Sequence, residues 1–156
     1  MAAELEIRTG YAVLAELGET GFRSTNAAIL GASLVAQGRI DEAAEAAADA
    51  FALSPADDPI TLGIAHGVEA QIAVARADFA GAVASARESV AQLEDTDFAV
   101  ELAEALFVSA RVCDAAGESG EALAAAQRAF DLFERKGHLV GLARTRSMLD
   151  AFGAAV

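Results

Sequence analysis

Few side chains in this sequence have the type and spacing that metal or acid–base chemistry needs. His66 and Glu69 lie three residues apart in a stretch with helical periodicity, a spacing at which an imidazole and a carboxylate reach one metal ion. Carboxylate di-iron bundles use Glu-x-x-His twice with further glutamates, whereas here the order is reversed and occurs once. The sequence therefore predicts no metal site.

The remaining reactive side chains do not form a catalytic constellation. Cys113 is the only cysteine, and its place in the apolar pattern of a helix predicts a buried, unreactive thiol. His66 and His138 are far apart in the sequence, and neither is paired with a serine or cysteine nucleophile. The sequence contains no glycine-rich phosphate-binding motif. We therefore predict a protein that is not an enzyme and needs no cofactor.

The charge balance restricts the class of partner. The net charge of −13 at pH 7 repels phosphate backbones and anionic lipids, so we expect this chain to bind neither nucleic acid nor a membrane surface. The C-terminal end is mildly basic, with Arg128, Arg135, Lys136, Arg144 and Arg146. The longest uncharged stretch, 24–38, is too short to span a membrane, and the N-terminal residues do not resemble a secretory signal. We expect a cytoplasmic protein.

Small residues, which are Gly, Ala and Ser, recur at a regular interval along this chain. In three places a Gly or Ala ends an apolar stretch, and further small residues follow five, nine and twelve positions later. The copies are Gly38, Ala43, Ala47 and Ala50; then Ala77, Ala82, Ala86 and Ser89; then Gly117, Ala122, Ala126 and Ala129. An interval of about 40 residues is typical of helical repeat arrays.

Nearly all of the chain has the apolar period of an α-helix, and the only prolines that interrupt it are Pro55 and Pro59. We predict an all-α fold, a superhelix of about eight helices arranged as antiparallel hairpins with short connections. Ser24 is the predicted N-cap of the second helix. Gly63 and Gly67 predict close packing between helices of a soluble repeat array.

The first copy resembles a tetratricopeptide repeat, position by position. It consists of Ala27, Leu30, Gly31, Leu34, Gly38, Ala43, Ala47, Ala50 and Pro55. A glycine inside a helix, as at Gly31, is expected where a neighbouring backbone comes close, and Pro55 stops the second helix. The later copies have Ala70 and Ala110 in place of the helical glycine, and their period exceeds the usual one of about 34 residues.

On this resemblance, residues 1–156 form a single repeat domain. Its expected parts are a half-repeat or cap (1–18), three repeats (24–55, 59–94 and 97–135) and a capping helix (138–153). Because the first helix looks like the second half of a hairpin, we expect either a fragment of a larger protein or a free-standing protein that is capped by this helix. The exposed ends of such a stack also lead us to consider a homodimer.

Two segments, 34–43 and 130–137, resemble the C-terminal repeat region of actinobacterial multidomain regulators. In those proteins an adenylate cyclase or a DNA-binding module is followed by an ATPase domain and then by repeats. The resemblance implies a non-enzymatic scaffold for protein–protein or interdomain contact, within a bacterial signalling or transcription regulator. The alternative is a small-molecule sensor that holds an apolar effector in an Ala-rich groove.

The resemblance also implies where a partner binds. Tetratricopeptide arrays bind extended peptides along their concave face, which is lined by the first helix of each hairpin. The residues expected to contact a partner there are Gln71, Glu104, Phe107, Arg111 and Asp114. Some family members clamp a C-terminal carboxylate with a Lys, Asn and Arg set, which does not occur at these positions, so we do not expect chaperone-tail binding.

Overall fold

The computed structural model describes residues 2–154, with side chains from Glu4 onward. These residues form eight α-helices and no β-strand, which confirms the predicted all-α fold. The helices are α1 (Ala2–Glu16), α2 (Gly21–Ala36), α3 (Ile40–Leu53), α4 (Pro59–Ala75), α5 (Phe79–Glu94), α6 (Ala99–Ala115), α7 (Ser119–Lys136) and α8 (Leu139–Ala151).

The helices pack as a stack of hairpins, each against its neighbours in the chain. The most extensive contacts are within the pairs α2 and α3, α4 and α5, and α6 and α7. The first helices of these pairs also lie side by side, and α3 and α5 each contact the first helix of the next pair. The helix α1 packs on α2, and α8 packs mainly on α7. This is the hairpin superhelix that the sequence predicts.

The recurring small residues lie in the contact surface between helices. Nine of them are at most 3% exposed: Ala43, Ala47, Ala50, Ala82, Ala86, Ser89, Ala122, Ala126 and Ala129. Because none has a bulky side chain, the second helix of each hairpin approaches the first helix closely. Buried larger side chains such as Leu34 and Phe133 pack against these alanines and complete the core.

Turns of three residues join the two helices of each hairpin. Their middle residues, Gly38, Ala77 and Gly117, begin the three sequence copies and have positive φ angles of 74°, 60° and 80°. In each turn the N–H of the middle residue and the next N–H donate to carbonyls of the preceding helix, as in a Schellman motif. Within residues 2–154, Ala77 is the one non-glycine residue with positive φ.

The start of α2 differs from the prediction. The helix begins at Gly21, and Ser24 is a fully buried residue inside its first turns. The Glu19 carboxylate accepts hydrogen bonds from the N–H groups of Gly21 and Phe22, at 3.0 and 2.8 Å. The Ser24 hydroxyl instead donates to the Gly21 carbonyl. The predicted N-cap at Ser24 is wrong, because an earlier glutamate already satisfies the free N–H groups of the helix start.

Glycines allow α4 to lie close to α5. A Cβ atom on Gly63 would lie 2.7 Å from Leu93 Cδ1, and one on Gly67 would lie 3.3 Å from the Ser89 hydroxyl oxygen. The Ser89 hydroxyl donates to the Gly63 carbonyl at 2.6 Å, a buried hydrogen bond between the two helices. The Gly63 and Gly67 pair therefore lies at a close contact between α4 and α5.

Ion pairs join the second helices of successive hairpins. Arg87 of α5 contacts Glu121 of α7 at 2.8 Å, and Arg128 of α7 contacts Glu94 of α5 at 2.6 Å. The partners of both pairs are 34 residues apart in the sequence. These side chains are largely exposed, so each pair contributes little to stability, but together they link the two helices at two separate points.

Candidate partner-binding clefts

A cleft of about 280 Å³ lies between α4 and α6, on the side of the stack where the first helices meet. We call it the α4–α6 cleft. Gly63 and Gly67 of α4 border it without side chains, and the buried Leu93 of α5 packs against Gly63 beneath it. Its other apolar lining residues are Ala32, Ile64, Val68, Val100, Ala105 and Val108. The glycines thus leave an apolar recess where larger side chains would have filled the space.

Glu101 is the polar side chain of this cleft for which the described residues show no hydrogen bond or ion pair. The Gln71 amide donates to the Gly67 carbonyl at 3.1 Å, and the Ser89 hydroxyl is also bonded internally. Glu101 and Glu104 border the cleft from α6. Among the described residues, Glu101 has no basic side chain within ion-pair distance, whereas Glu104 pairs with Arg144 of α8. The cleft therefore combines apolar walls with a negative border.

A second, wider cleft of about 630 Å³ lies between α6 and α8, and we call it the α6–α8 cleft. It is lined by Phe107, Arg111 and Asp114 of α6 and by a group from α8 and the residue after it. That group is Arg144, Ser147, Met148, Ala151 and Phe152. The guanidinium carbon of Arg144 lies 4.8 Å from the centroid of the Phe107 ring, a cation–π contact.

The structure divides the predicted partner-contacting residues between the two clefts. Gln71 and Glu104 line the α4–α6 cleft, while Phe107, Arg111 and Asp114 line the α6–α8 cleft. Arg144 lies between the two groups, because it pairs with Glu104 and stacks on Phe107.

The sequence pattern indicates no role for Arg144, Glu101, Val100 or Val108 in this region. A signal for Arg144 was present, because it follows its partner Glu104 by 40 residues, which is one repeat of the sequence. Successive repeats place such residues side by side on neighbouring first helices. Two residues that are one repeat apart in the sequence can therefore be in contact across neighbouring repeats, in addition to occupying equivalent positions in them.

Both histidines have structural contacts. The Nδ1 atom of His66 lies 3.1 Å from a Glu69 carboxylate oxygen, and its ring packs 4.8 Å from the centroid of Phe51. The Nδ1 atom of His138 accepts a hydrogen bond from the Gly141 N–H and so caps the start of α8. The predicted spacing of His66 and Glu69 therefore gives a local hydrogen bond, and the described residues place no third ligand beside it.

Cys113 lies in a different polar cluster, with Glu118 and Glu121. The sulfur and one oxygen of each carboxylate lie within 4.8 Å of one another. Burial raises the pKa of the Cys113 thiol, so the sulfur stays protonated near neutral pH. Arg87 donates to both oxygens of Glu121, at 2.8 and 3.0 Å. The cluster is thus an arginine–carboxylate pair beside a neutral thiol, which is poorly suited to metal binding or nucleophilic attack.

Comparison with known proteins adds no family assignment. The chain matches no protein-family model and no curated protein sequence. None of the eight helices in residues 2–154 combines the length and the hydropathy that a membrane-spanning segment requires.

Proposed function

We propose that this chain is a non-enzymatic scaffold that binds a protein segment or another protein domain on the side formed by α2, α4, α6 and α8. The observation that supports this function best is the α4–α6 cleft, where partly exposed apolar side chains meet carboxylates without a catalytic constellation around them. The resemblance of the chain to tetratricopeptide arrays supports the same conclusion, because those arrays bind peptides on the face formed by the first helices of their hairpins.

The chemistry of the cleft favours a partner segment with an apolar side chain next to basic residues. Ile64, Val100 and Val108 are each partly exposed in the cleft. Burying one leucine-sized side chain against such walls contributes about 1.5–3 kcal/mol. Glu101 has no internal cation, and the chain as a whole carries a net charge of −13, so a lysine or arginine beside the apolar residue is favoured electrostatically.

The cellular setting that we propose rests on the resemblance of segments 34–43 and 130–137. It is the C-terminal part of a bacterial, specifically actinobacterial, cytoplasmic regulator of signalling or transcription. In such a setting the chain would contact another domain of the same regulator or a separate protein. The acidic charge disfavours nucleic acid and membrane surfaces as direct ligands of this chain.

A peptide titration monitored by amide NMR shifts tests the cleft assignment. The probe is an acetylated, amidated tripeptide with leucine between two arginines, and we expect weak binding, with a Kd of about 1 mM. Shifts should concentrate at the α4–α6 cleft, and Glu101→Gln should weaken binding. Glu134→Gln, on the exposed surface of α7, is the matched control and should bind like the wild type. Equal binding of a tripeptide with leucine between two glutamates would contradict the proposal.

Arg111 allows a test of the neighbouring α6–α8 cleft. It is exposed, and none of the described carboxylates lies within ion-pair distance of it. Longer probes carry aspartates added at one end or the other of the tripeptide. Arg111→Ala should weaken binding of one of these longer probes without changing the fold or the affinity for the tripeptide. If the variant bound both long probes as well as the wild type does, this cleft would not be part of the binding surface.

The second candidate function is a small-molecule effector sensor. It is favoured by the volume of about 280 Å³ and the apolar walls of the α4–α6 cleft, which are close to those of small-ligand sites. A thermal-shift screen with phenylbutylamine, phenylbutanol and phenylbutyrate would test it. Stabilisation by the amine alone, in the absence of any peptide binding, would favour the sensor over the scaffold.

A further inference from the structure

The most exposed large apolar side chains lie at the two ends of the helix stack. Five of them in the described residues are at least 66% exposed: Leu5, Leu17 and Phe22 at one end, and Leu139 and Val140 at the other. The other exposed large apolar side chains reach at most 47%. Each end of the stack therefore exposes large apolar side chains that are available for a further contact.

The α1 end is apolar and acidic. One face of α1, with the half-buried Ile7, Tyr11 and Leu14, packs toward the stack. By helical periodicity the opposite face of α1 carries Leu5, Val13 and Glu16, with Glu6 at its edge, and Leu17 follows the last turn of the helix. The two glutamates of this face have no basic side chain within ion-pair distance among residues 4–154.

The α8 end is apolar and basic. Thr145 and Leu149 are fully buried against the stack, whereas Leu139 and Val140 lie in the first turn of α8 and point to solvent. Lys136 and Arg135 precede them, and Arg146 is exposed on α8.

The basic side chains of the α8 end are not neutralised by carboxylates of the described residues, so they are available to the acidic α1 end of another copy. In the described part of the chain, no carboxylate lies within ion-pair distance of Arg135, Lys136 or Arg146. The segment 135–150 carries four basic side chains and one acidic one, whereas the segment 4–19 carries four acidic side chains and one basic one. The two exposed ends therefore have opposite charge.

The two ends also expose helices of complementary kind. The contact of α1 with α2 corresponds to the contacts of α3 with α4 and of α5 with α6, so α1 occupies the place of a second helix of a hairpin. By the same correspondence α8, which follows a complete hairpin, occupies the place of a first helix. A first helix and a second helix are the two parts from which each internal hairpin of this protein is built.

We propose that copies of this chain associate head to tail, with the α8 end of one copy packed on the α1 end of the next. The exposed leucines and Val140 then become buried between copies, while Lys136 and Arg146 face Glu6 and Glu16. Such a contact uses different surfaces on the two copies, so it produces an open chain or a ring and not a twofold dimer. Because much of the attraction is between exposed charges, it weakens as salt screens them.

Sedimentation velocity over a concentration series tests this association, at about 20 mM and about 500 mM salt. The wild-type sedimentation coefficient should rise with concentration at low salt, and the rise should shrink at high salt. Leu17→Lys places a positive charge in the apolar part of the α1 end, where it repels the cations of the α8 end. Val140→Glu places a negative charge in the apolar part of the α8 end, where it repels Glu6 and Glu16. Each variant alone should remain monomeric. An equimolar mixture should associate again, since an intact α8 end then meets an intact α1 end.

The substitutions are chosen so that the fold is preserved. Leu17 and Val140 are both exposed. A lysine after the last turn of α1 and a glutamate in the first turn of α8 each interact favourably with the helix dipole. Thermal unfolding of each variant checks that the fold is preserved. Phe79→Glu, in the first turn of α5, is the matched control and should associate like the wild type. A wild type that stays monomeric at low salt, or a variant that forms dimers by itself, would overturn head-to-tail association.

Discussion

Replacing Ala77 with glycine should stabilise this protein, although glycine usually weakens helical proteins. Ala77 is the middle residue of the turn between α4 and α5, with a φ of 60°, and glycines occupy the same place in the other two hairpins. Its N–H donates to the Val74 carbonyl at 3.0 Å, and the next N–H, of Asp78, donates to the Ala73 carbonyl at 2.9 Å. The hydrogen bonds of the turn are therefore complete, and its strain lies in the backbone angle.

The magnitude follows from two opposing terms. A left-handed backbone conformation costs a residue with a Cβ atom about 1–2 kcal/mol, and glycine avoids this cost. Glycine also loses about 0.4–1 kcal/mol more conformational entropy on folding than alanine does. We therefore expect Ala77→Gly to raise the free energy of unfolding by about 0.5–1 kcal/mol. For a chain of this length, that change corresponds to a Tm increase of about 1–4 °C.

Urea unfolding monitored by far-ultraviolet circular dichroism measures this change, and two variants control it. Gly117→Ala introduces the alanine into the equivalent turn, where a Cβ atom would meet nothing within 4 Å, and should destabilise by about 1 kcal/mol. Ala84→Gly, at an exposed position within α5, should also destabilise by about 1 kcal/mol. The expected result is thus opposite signs for the same substitution at residues 77 and 84.

An unchanged or lower midpoint for Ala77→Gly, together with a lower midpoint for Gly117→Ala, would refute the reasoning. It would mean that the α4–α5 turn relaxes to a conformation that alanine tolerates. The denaturant dependence of the unfolding free energy should be the same in all variants, because none of them changes the surface exposed on unfolding.

Three further changes test other contacts. Ala43→Leu should destabilise by about 1–3 kcal/mol in urea unfolding, because Ala43 is fully buried between helices. Gly141→Ala should lower the Tm, because its Cβ atom would lie 2.5 Å from a ring carbon of a buried phenylalanine. Hydrogen bonds from Arg8 and Arg39 lower the pKa of Glu4 from 4.5 to about 2. The stability from this carboxylate is complete above about pH 5 and is lost as the pH falls toward about 2, so Glu4→Gln should be less stable than the wild type at pH 7 and nearly equal to it at about pH 2.

The controls for these changes are equally specific. Gly120→Ala, where a Cβ atom would meet nothing within 4 Å, should leave the Tm unchanged or raise it slightly. If Gly141→Ala behaved in the same way, the Phe133 ring would have room to move. An unaltered midpoint for Ala43→Leu would show that the first hairpin is loosely packed. A constant difference between Glu4→Gln and the wild type from pH 7 to pH 2 would exclude the proposed titration.

The sequence was most informative where backbone packing restricts the residue type. A Cβ atom on Gly31 would lie 3.5 Å from the Ala43 carbonyl oxygen and 3.1 Å from Val68 Cγ1, so a small residue is required there. The recurring alanines face the same kind of restriction. Such positions leave a periodic signal, which is why the all-α hairpin fold was predictable.

Side chains whose partners come from another repeat or from a flanking turn were harder to predict. Ser24 has a typical capping side chain, but the preceding turn lets α2 begin three residues earlier, where the Glu19 carboxylate accepts from the N–H groups of Gly21 and Phe22. The capping role of His138 and the pairing of Arg144 with Glu104 likewise depend on geometry that no local pattern specifies. The five predicted contact residues lie in two clefts because the packing of neighbouring repeats, which no local sequence pattern specifies, determines which helices border each cleft.

The range of the helix contacts has a consequence for how this protein folds and opens. In residues 2–154, no helix contacts another helix that lies more than two places away in the chain. Ordering one hairpin therefore does not require closing a long loop, so folding should be fast and should spread from neighbour to neighbour. Opening should begin at α1 and α8, and amide hydrogen exchange should be slowest in α4, α5 and α6, which lie in the middle of the stack.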